Sequence, residues 1–135
     1  MKASLQTGNT AEVEAIVTSD MCPAFDGIVV HEVYSTWSLA HHMELAARKV
    51  LAPHLEPDEE GIGSHLSIDH LGPTPLGERV RVVATATEIG PTKLVCDISA
   101  YHVRDSGERL VARGRQIQRI LPRRRIASLL AKATR

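Results

Sequence analysis

A change of period along the chain limits most strongly what it can fold into. Between Ser35 and Leu51 the apolar residues Leu39, Ala40, Met43, Ala46, Ala47, Val50 and Leu51 recur at three- and four-residue steps; beyond residue 61 they recur at every second position. The first spacing predicts a helix of roughly 15 residues, with N-cap chemistry at Ser35 and Thr36 and a stop at Pro53. The second predicts strands. One carries Ile62, Leu66, Ile68 and His70 on a single face, and three more span about 78–89, 92–104 and 108–121, separated by Gly- and Pro-rich turns. An earlier strand is expected at 11–18, and residues 19–34 read as irregular apart from a brief pairing at Ile28–Val30. Short links between successive strands favour an antiparallel meander.

One helix with so much small apolar surface must be buried, and the sheet is the only element large enough to bury it. The expected class is therefore α+β, a curved antiparallel sheet wrapped around one central helix; a helix lying flat on one sheet face is the competing layout. A single domain is expected over residues 1–121, followed by a basic tail at 122–135. Aromatic residues make up only 3% of the 135 positions. The core must be aliphatic and modest, which leaves room for further burial by self-association.

Sixteen Lys and Arg balance sixteen Asp and Glu, so net charge points neither to nucleic acid nor to a membrane surface. The distribution is uneven: no acid follows Glu108, and the acids gather at Glu56, Asp58, Glu59 and Glu60. A basic last quarter is either a solvated face or a landing strip for a phosphorylated ligand. Cys22 and Cys96 lack metal-ligand spacing and are too few for a disulfide scaffold. No signal peptide or spanning segment is expected, and the default setting is the cytoplasm.

Three residues fit the packing poorly. Glu44 shares a helical face with Ala40, Ala47 and Leu51, and a carboxylate in an apolar stripe is costly unless it is paired or lines a polar cavity. A structural ion pair with an arginine is the alternative. His70 extends an apolar strand face just before a Gly-Pro turn, where, taken alone, a core histidine bonded to a carbonyl is the plainer reading. Thr36 stands where a helix cap or a reactive hydroxyl would stand. Together, an acid, a histidine and a hydroxyl at a helix start are the parts of an acyl-transfer site, with free N–H groups available for an oxyanion.

The stretch Val33–Gly77 resembles the hotdog-fold thioesterases, and within them the fluoroacetyl-CoA thioesterase group. The matching residues are Thr36, Met43-Glu44, Leu51-Ala52-Pro53-His54-Leu55-Glu56-Pro57, Gly63, His70 and Thr74-Pro75. The resemblance implies a hotdog fold, a catalytic Thr36, Glu44 and His70, and a Gly63 close to the acyl group. It also implies hydrolysis of a small or medium acyl thioester of coenzyme A or acyl carrier protein, and a homodimer with sites at the subunit interface. Members selective for fluoroacetyl-CoA have an aromatic lid ahead of the Thr. Here only Phe25 and Tyr34 are aromatic between Cys22 and Thr36, with Val29, Val30 and Val33 among them, which argues against that selectivity and leaves Tyr34 as the candidate substrate contact. For coenzyme A phosphates the candidates are arginines such as Arg113, Arg115 and Arg119, with Arg115 chosen as substrate-binding.

Thr36 and Glu44 are eight residues apart, a rise of ~12 Å on one unbroken helix. Either Thr36 precedes the helix and folds back, or a second subunit supplies one of the two. Glu44 would attack the carbonyl or activate water, His70 would act as general acid–base, and Thr36 would orient the carboxylate or be the nucleophile. A metal is not expected: His41 and Glu44 have suitable spacing, but His65 and His70 point to opposite strand faces. No cofactor is expected. A hydratase of the same fold would use an Asp–His pair, yet Asp69 and His70 are strand neighbours and diverge. A non-catalytic acyl-thioester binding module is the remaining alternative. Nucleic-acid binding lacks interleaved aromatics.

Overall fold

The computed structural model describes residues 1–135. Strand β1 (Thr10–Ile16) is followed by a hairpin of β2 (Ala24–Phe25) and β3 (Ile28–Val29), then helix α1 (Thr36–Leu51). Four long strands come next, β4 (Glu59–His70), β5 (Arg79–Gly90), β6 (Lys93–Arg104) and β7 (Gly107–Pro122), and helix α2 (Arg123–Ala133) ends the chain. The hairpin turns at Asp26 and Gly27, both at positive φ (52° and 79°), as a two-residue hairpin turn whose twist matches its strands requires.

All neighbours in the five-stranded sheet are antiparallel, in the order β1-β5-β6-β7-β4. The meander holds for β5, β6 and β7 but not for β4, which pairs with β7 at the far edge instead of with β5. The reason lies in residues 71–78, which run past the start of α1 before entering β5. Val33 bridges Pro75, and the Leu76 N–H donates to the Glu32 carbonyl at 2.9 Å. The sheet wraps α1, the hotdog arrangement.

Alternation along the strands builds the inner face. Val80, Val82, Ala84 and Ala86 on β5, with Leu94, Cys96, Ile98 and Ala100 on β6, are buried against Leu39, Met43, Ala46, Ala47, Val50 and Leu51 of the helix. Three bulges interrupt the pattern. At Ser64 the β4–β7 register shifts between Gly63 and His65. Gly63 therefore lies opposite buried Gln118 while Ile62 lies opposite Arg119. One inserted residue reverses the faces, so Ile62 points outward, contrary to the sequence pattern, and only Leu66, Ile68 and His70 share the inner face. A second bulge, at Val111, follows from the shift between Ala100 and Tyr101, and a third, at Thr87, from the shift between Ala86 and Glu88.

The basic tail forms a three-turn helix, with none of its residues buried. Its start is tied to the acidic loop: the Arg123 N–H donates to the Asp58 carbonyl at 2.7 Å, and Arg123 reaches Glu60 at 3.2 Å. Glu60 also pairs with Arg48 on α1, which holds its carboxyl well below the usual range, at about 2. No helix is long and apolar enough to cross a membrane.

Helix and sheet meet tightly at two glycines: at Gly61 a Cβ would lie 2.6 Å from Leu51 Cδ2, and Gly114 faces Met43. A Cβ on Gly114 would lie 2.4 Å from the Ser67 carbonyl oxygen and 3.0 Å from the Met43 sulfur, one contact being with backbone that cannot rotate away. Gly114→Ala is expected to lower stability by about 2 kcal/mol or more, read as a lower urea midpoint with an unchanged slope.

Candidate active site

Ser35, not Thr36, caps α1. Its φ and ψ of −74° and 156° are extended, and its Oγ accepts from the Ser38 N–H at 3.1 Å, the usual bond of a capping serine. Its carbonyl accepts from the Leu39 N–H at 3.0 Å. Thr36 is thus the first helical residue, its hydroxyl released from capping, and the N–H groups of Thr36 and Trp37 remain unbonded. The segment ahead of the helix is held on both sides. The Tyr34 N–H donates to the Thr74 carbonyl at 2.8 Å, and the Ser35 N–H to the Met21 carbonyl at 2.8 Å.

His70 ends β4 and faces the same point. The carbonyl of bulged Val111 accepts from both Leu71 (2.7 Å) and Gly72 (3.1 Å), which stops the strand and fixes the imidazole. His70 Nδ1 lies 2.9 Å from the Thr36 hydroxyl. Nε2 is enclosed without a bonded partner; the Gly72 backbone is near enough to influence the ring but does not complete a hydrogen bond with Nε2. Burial pushes the imidazole pKa below its ordinary 6.5, with the Gly72 backbone opposing the shift. A neutral ring with its proton on Nε2, toward Gly72, leaves Nδ1 as acceptor for the Thr36 O–H. A hydroxyl that donates to a neutral imidazole is the working unit of an activated nucleophile. Val33, Leu71 and Pro73 border the hollow of about 340 Å³ onto which the pair opens.

Glu44 is not with them. It lies two turns further along the unbroken helix, a rise of ~12 Å, and is exposed rather than set in a buried stripe. The helix buries the arc through Leu39, Met43, Ala46 and Val50; Glu44 is rotated off it toward β4, the open edge of the sheet. There it meets Gly63, where a Cβ would lie 3.2 Å from Glu44 Oε1 and 3.2 Å from Gln116 Nε2. The four residues therefore form two pairs in one chain, Thr36 with His70 and Glu44 with Gly63.

Two other expectations fare differently. The Tyr34 side chain is fully enclosed, with its hydroxyl 2.5 Å from His42 Nδ1; Tyr34 anchors the approach to the helix from inside the core while the residue borders the same hollow as Thr36 and His70. Arg115 projects from the outer face of the sheet, opposite Ser67, and pairs with Asp97 at 3.2 Å, away from Thr36 and His70. The alternation of β7 explains this, because Gln116 and Gln118 take the inner positions. Asp69 likewise lies opposite Arg113, and His70 opposite Ala112, so Asp69 and His70 diverge as strand alternation requires. Gln116 and Gln118 escape a search for titratable groups. The signal that marks them is their two-residue step from buried Ile120.

Residues 17–124 match the family described as fluoroacetyl-CoA-specific thioesterase. The chain belongs to this family. A fluoroacetyl-CoA thioesterase of Streptantibioticus cattleyicolor is 33% identical over 70 residues, which is 52% of this chain. The matched part spans only about half the length (50%) of that relative. A Thermus thermophilus protein described as a thioesterase superfamily member superimposes with a TM-score of 0.89 at 37% identity, over 96% of this chain and 93% of that one. A hot-dog-like protein from Thermanaerovibrio acidaminovorans, 18% identical with a TM-score of 0.82 over 94% and 91% of the two chains, shares the fold.

The depressed imidazole gives a direct check. In an NMR titration His70 is expected to titrate below 6.5. Because its neutral form is the proton acceptor, any rate that depends on it rises with pH through that lowered value and is already level at neutrality.

Proposed function

We propose that this chain is an acyl-CoA thioesterase acting on small or medium acyl groups, with its site completed by a second copy of itself. The observation that carries the reading is the 2.9 Å contact between the Thr36 hydroxyl and His70 Nδ1. Thr36 Oγ attacks the thioester carbonyl while its proton passes to Nδ1. The N–H groups at the start of α1 receive the developing oxyanion. Collapse of the adduct breaks the C–S bond, and the proton on Nδ1 leaves with the thiolate as free thiol. Water, deprotonated by Glu44 of the second copy, then attacks the Thr36 ester; the C–O bond to Thr36 breaks, the acyl acid leaves, and the Thr36 oxygen regains a proton through His70 while the proton on Glu44 passes to solvent.

The shared arrangement rests on β4. This strand has no neighbour on its outer side, and a long open edge is a template for pairing. Two-fold antiparallel pairing of β4 with its copy, centred near Leu66 and Ser67, sets His70 of one chain beside Gly63 and Glu44 of the other, twice over. That geometry reunites the two pairs that one helix keeps ~12 Å apart. A related fluoroacetyl-CoA thioesterase has been seen bound to acetyl-CoA, which supports coenzyme A as the carrier. The buried free thiols of Cys22 and Cys96 suit a reducing cytoplasm.

Thiol release from a panel of acyl-CoA esters tests the reading. Thr36→Ala and His70→Ala are each expected to lose about 10²–10⁴-fold in turnover. Glu44→Ala is expected to keep one burst of thiol per site and then stall. Mixing Thr36→Ala with Glu44→Ala chains should restore about a quarter of parental activity, since half the dimers are mixed and each has one intact site. Tight acyl-CoA binding with no thiol release would make the protein a binding module instead. Full activity in a monomer would remove the shared site.

A further inference from the structure

Gln116 is 97% buried by its side-chain surroundings, with 3% of its surface exposed, on the inner face of β7 where its neighbours in the alternation are Gly114 and Gln118. The two buried amides differ in what they bond. Gln118 Nε2 donates to the Ala47 carbonyl at 3.1 Å, joining sheet to helix. Gln116 has no such bond. Its Oε1 is enclosed without a partner, and its Nε2 lies 3.2 Å from the point where a Gly63 Cβ would be, the same distance from that point as Glu44 Oε1. A buried amide with an orphaned oxygen weakens a fold that an apolar side chain of the same length would not. Its nitrogen end nevertheless borders the gap into which the Glu44 carboxylate projects, a gap that exists because residue 63 has no side chain.

We infer that Gln116 is a positioning residue for Glu44, its amide N–H donating to the carboxylate across the Gly63 gap and so aiming it at the water that cleaves the acyl ester. The inference rests on the role proposed for Glu44. Glu44 is exposed on a helix flank, and Arg48, one turn further along, is taken up by Glu60; without Gln116 the carboxylate would rotate freely. A donor on rigid β7 removes that freedom, and a charge-assisted bond from an amide is short and directional. Gly63 is then required for a second reason besides room for substrate: any side chain there would stand between the two groups.

The experiment is Gln116→Met in the full-length protein, beside Glu44→Ala and the double variant, with the burst and the steady state of thiol release followed on one acyl-CoA ester. Met fills the space without an amide. Its urea midpoint is expected at or above that of the parent, its thiol burst unchanged in size, and its steady-state kcat lower by about tenfold with KM little altered. The double variant is expected to be no slower than Glu44→Ala alone, because a residue that acts through Glu44 has nothing left to act on. Parental kcat in Gln116→Met, or losses that multiply in the double variant, would overturn the inference while leaving the thioesterase reading intact. Parental turnover in Glu44→Ala would overturn both. A midpoint that falls together with burst and steady state would show Gln116 to be a packing residue only.

Discussion

Met43 sits over Gly114, at a point where any side chain on the strand would run into the Met43 sulfur and the Ser67 carbonyl. With Leu51 over Gly61, where a Cβ would lie 2.6 Å from Leu51 Cδ2, that contact holds the one central helix close against the sheet. Ala46 and Ala47, both fully buried, keep the spacing tight along the next turn, and the sheet strands curl around the helix to cover it. A core this poor in aromatics gains its stability from close aliphatic packing. The helix axis is thereby fixed relative to every strand, and both ends of the candidate site are fixed with it.

The chemistry-bearing residues are supported by bonds outside the regular ladders. Val111 bulges from β7 and presents one carbonyl to two N–H groups beyond His70. The segments 32–34 and 74–76 bond to each other, which ties the approach to α1 to the turn after His70. A third irregularity, the Ser64 bulge, turns Gly63 to the inner face beside Glu44. Each of these features interrupts regular structure, and each stands next to a residue the reaction would use. Bulges commonly re-aim side chains at such places.

Much of this was legible in the residues. The helix, its stop and the four long strands follow from periodicity and turn chemistry, and the fold class follows from the need to bury one apolar helix. The opposition of Asp69 and His70 follows from strand alternation alone. The partners of β4 were not legible, because local pattern does not say which strand lies beside which. Nor was the outward turn of Ile62, since one unpaired residue reverses every face before it. Tyr34 and Arg115 illustrate the same gap: which way a tyrosine ahead of a helix or an arginine on a strand points is set by tertiary packing, here against His42 and Asp97.

What the amino-acid order determined by itself is the set of elements and the Thr36, Glu44 and His70 spacing, because period, caps and turns act over a few residues. The tertiary structure decided which of the three meet. It bonded Thr36 to His70 across thirty-four positions of sequence and held Glu44 apart on the same rigid helix. The physical reason is that a helix rises by a set amount per residue, and no sequence signal can shorten that distance; only the fold of the chain, or a second chain, can cross it.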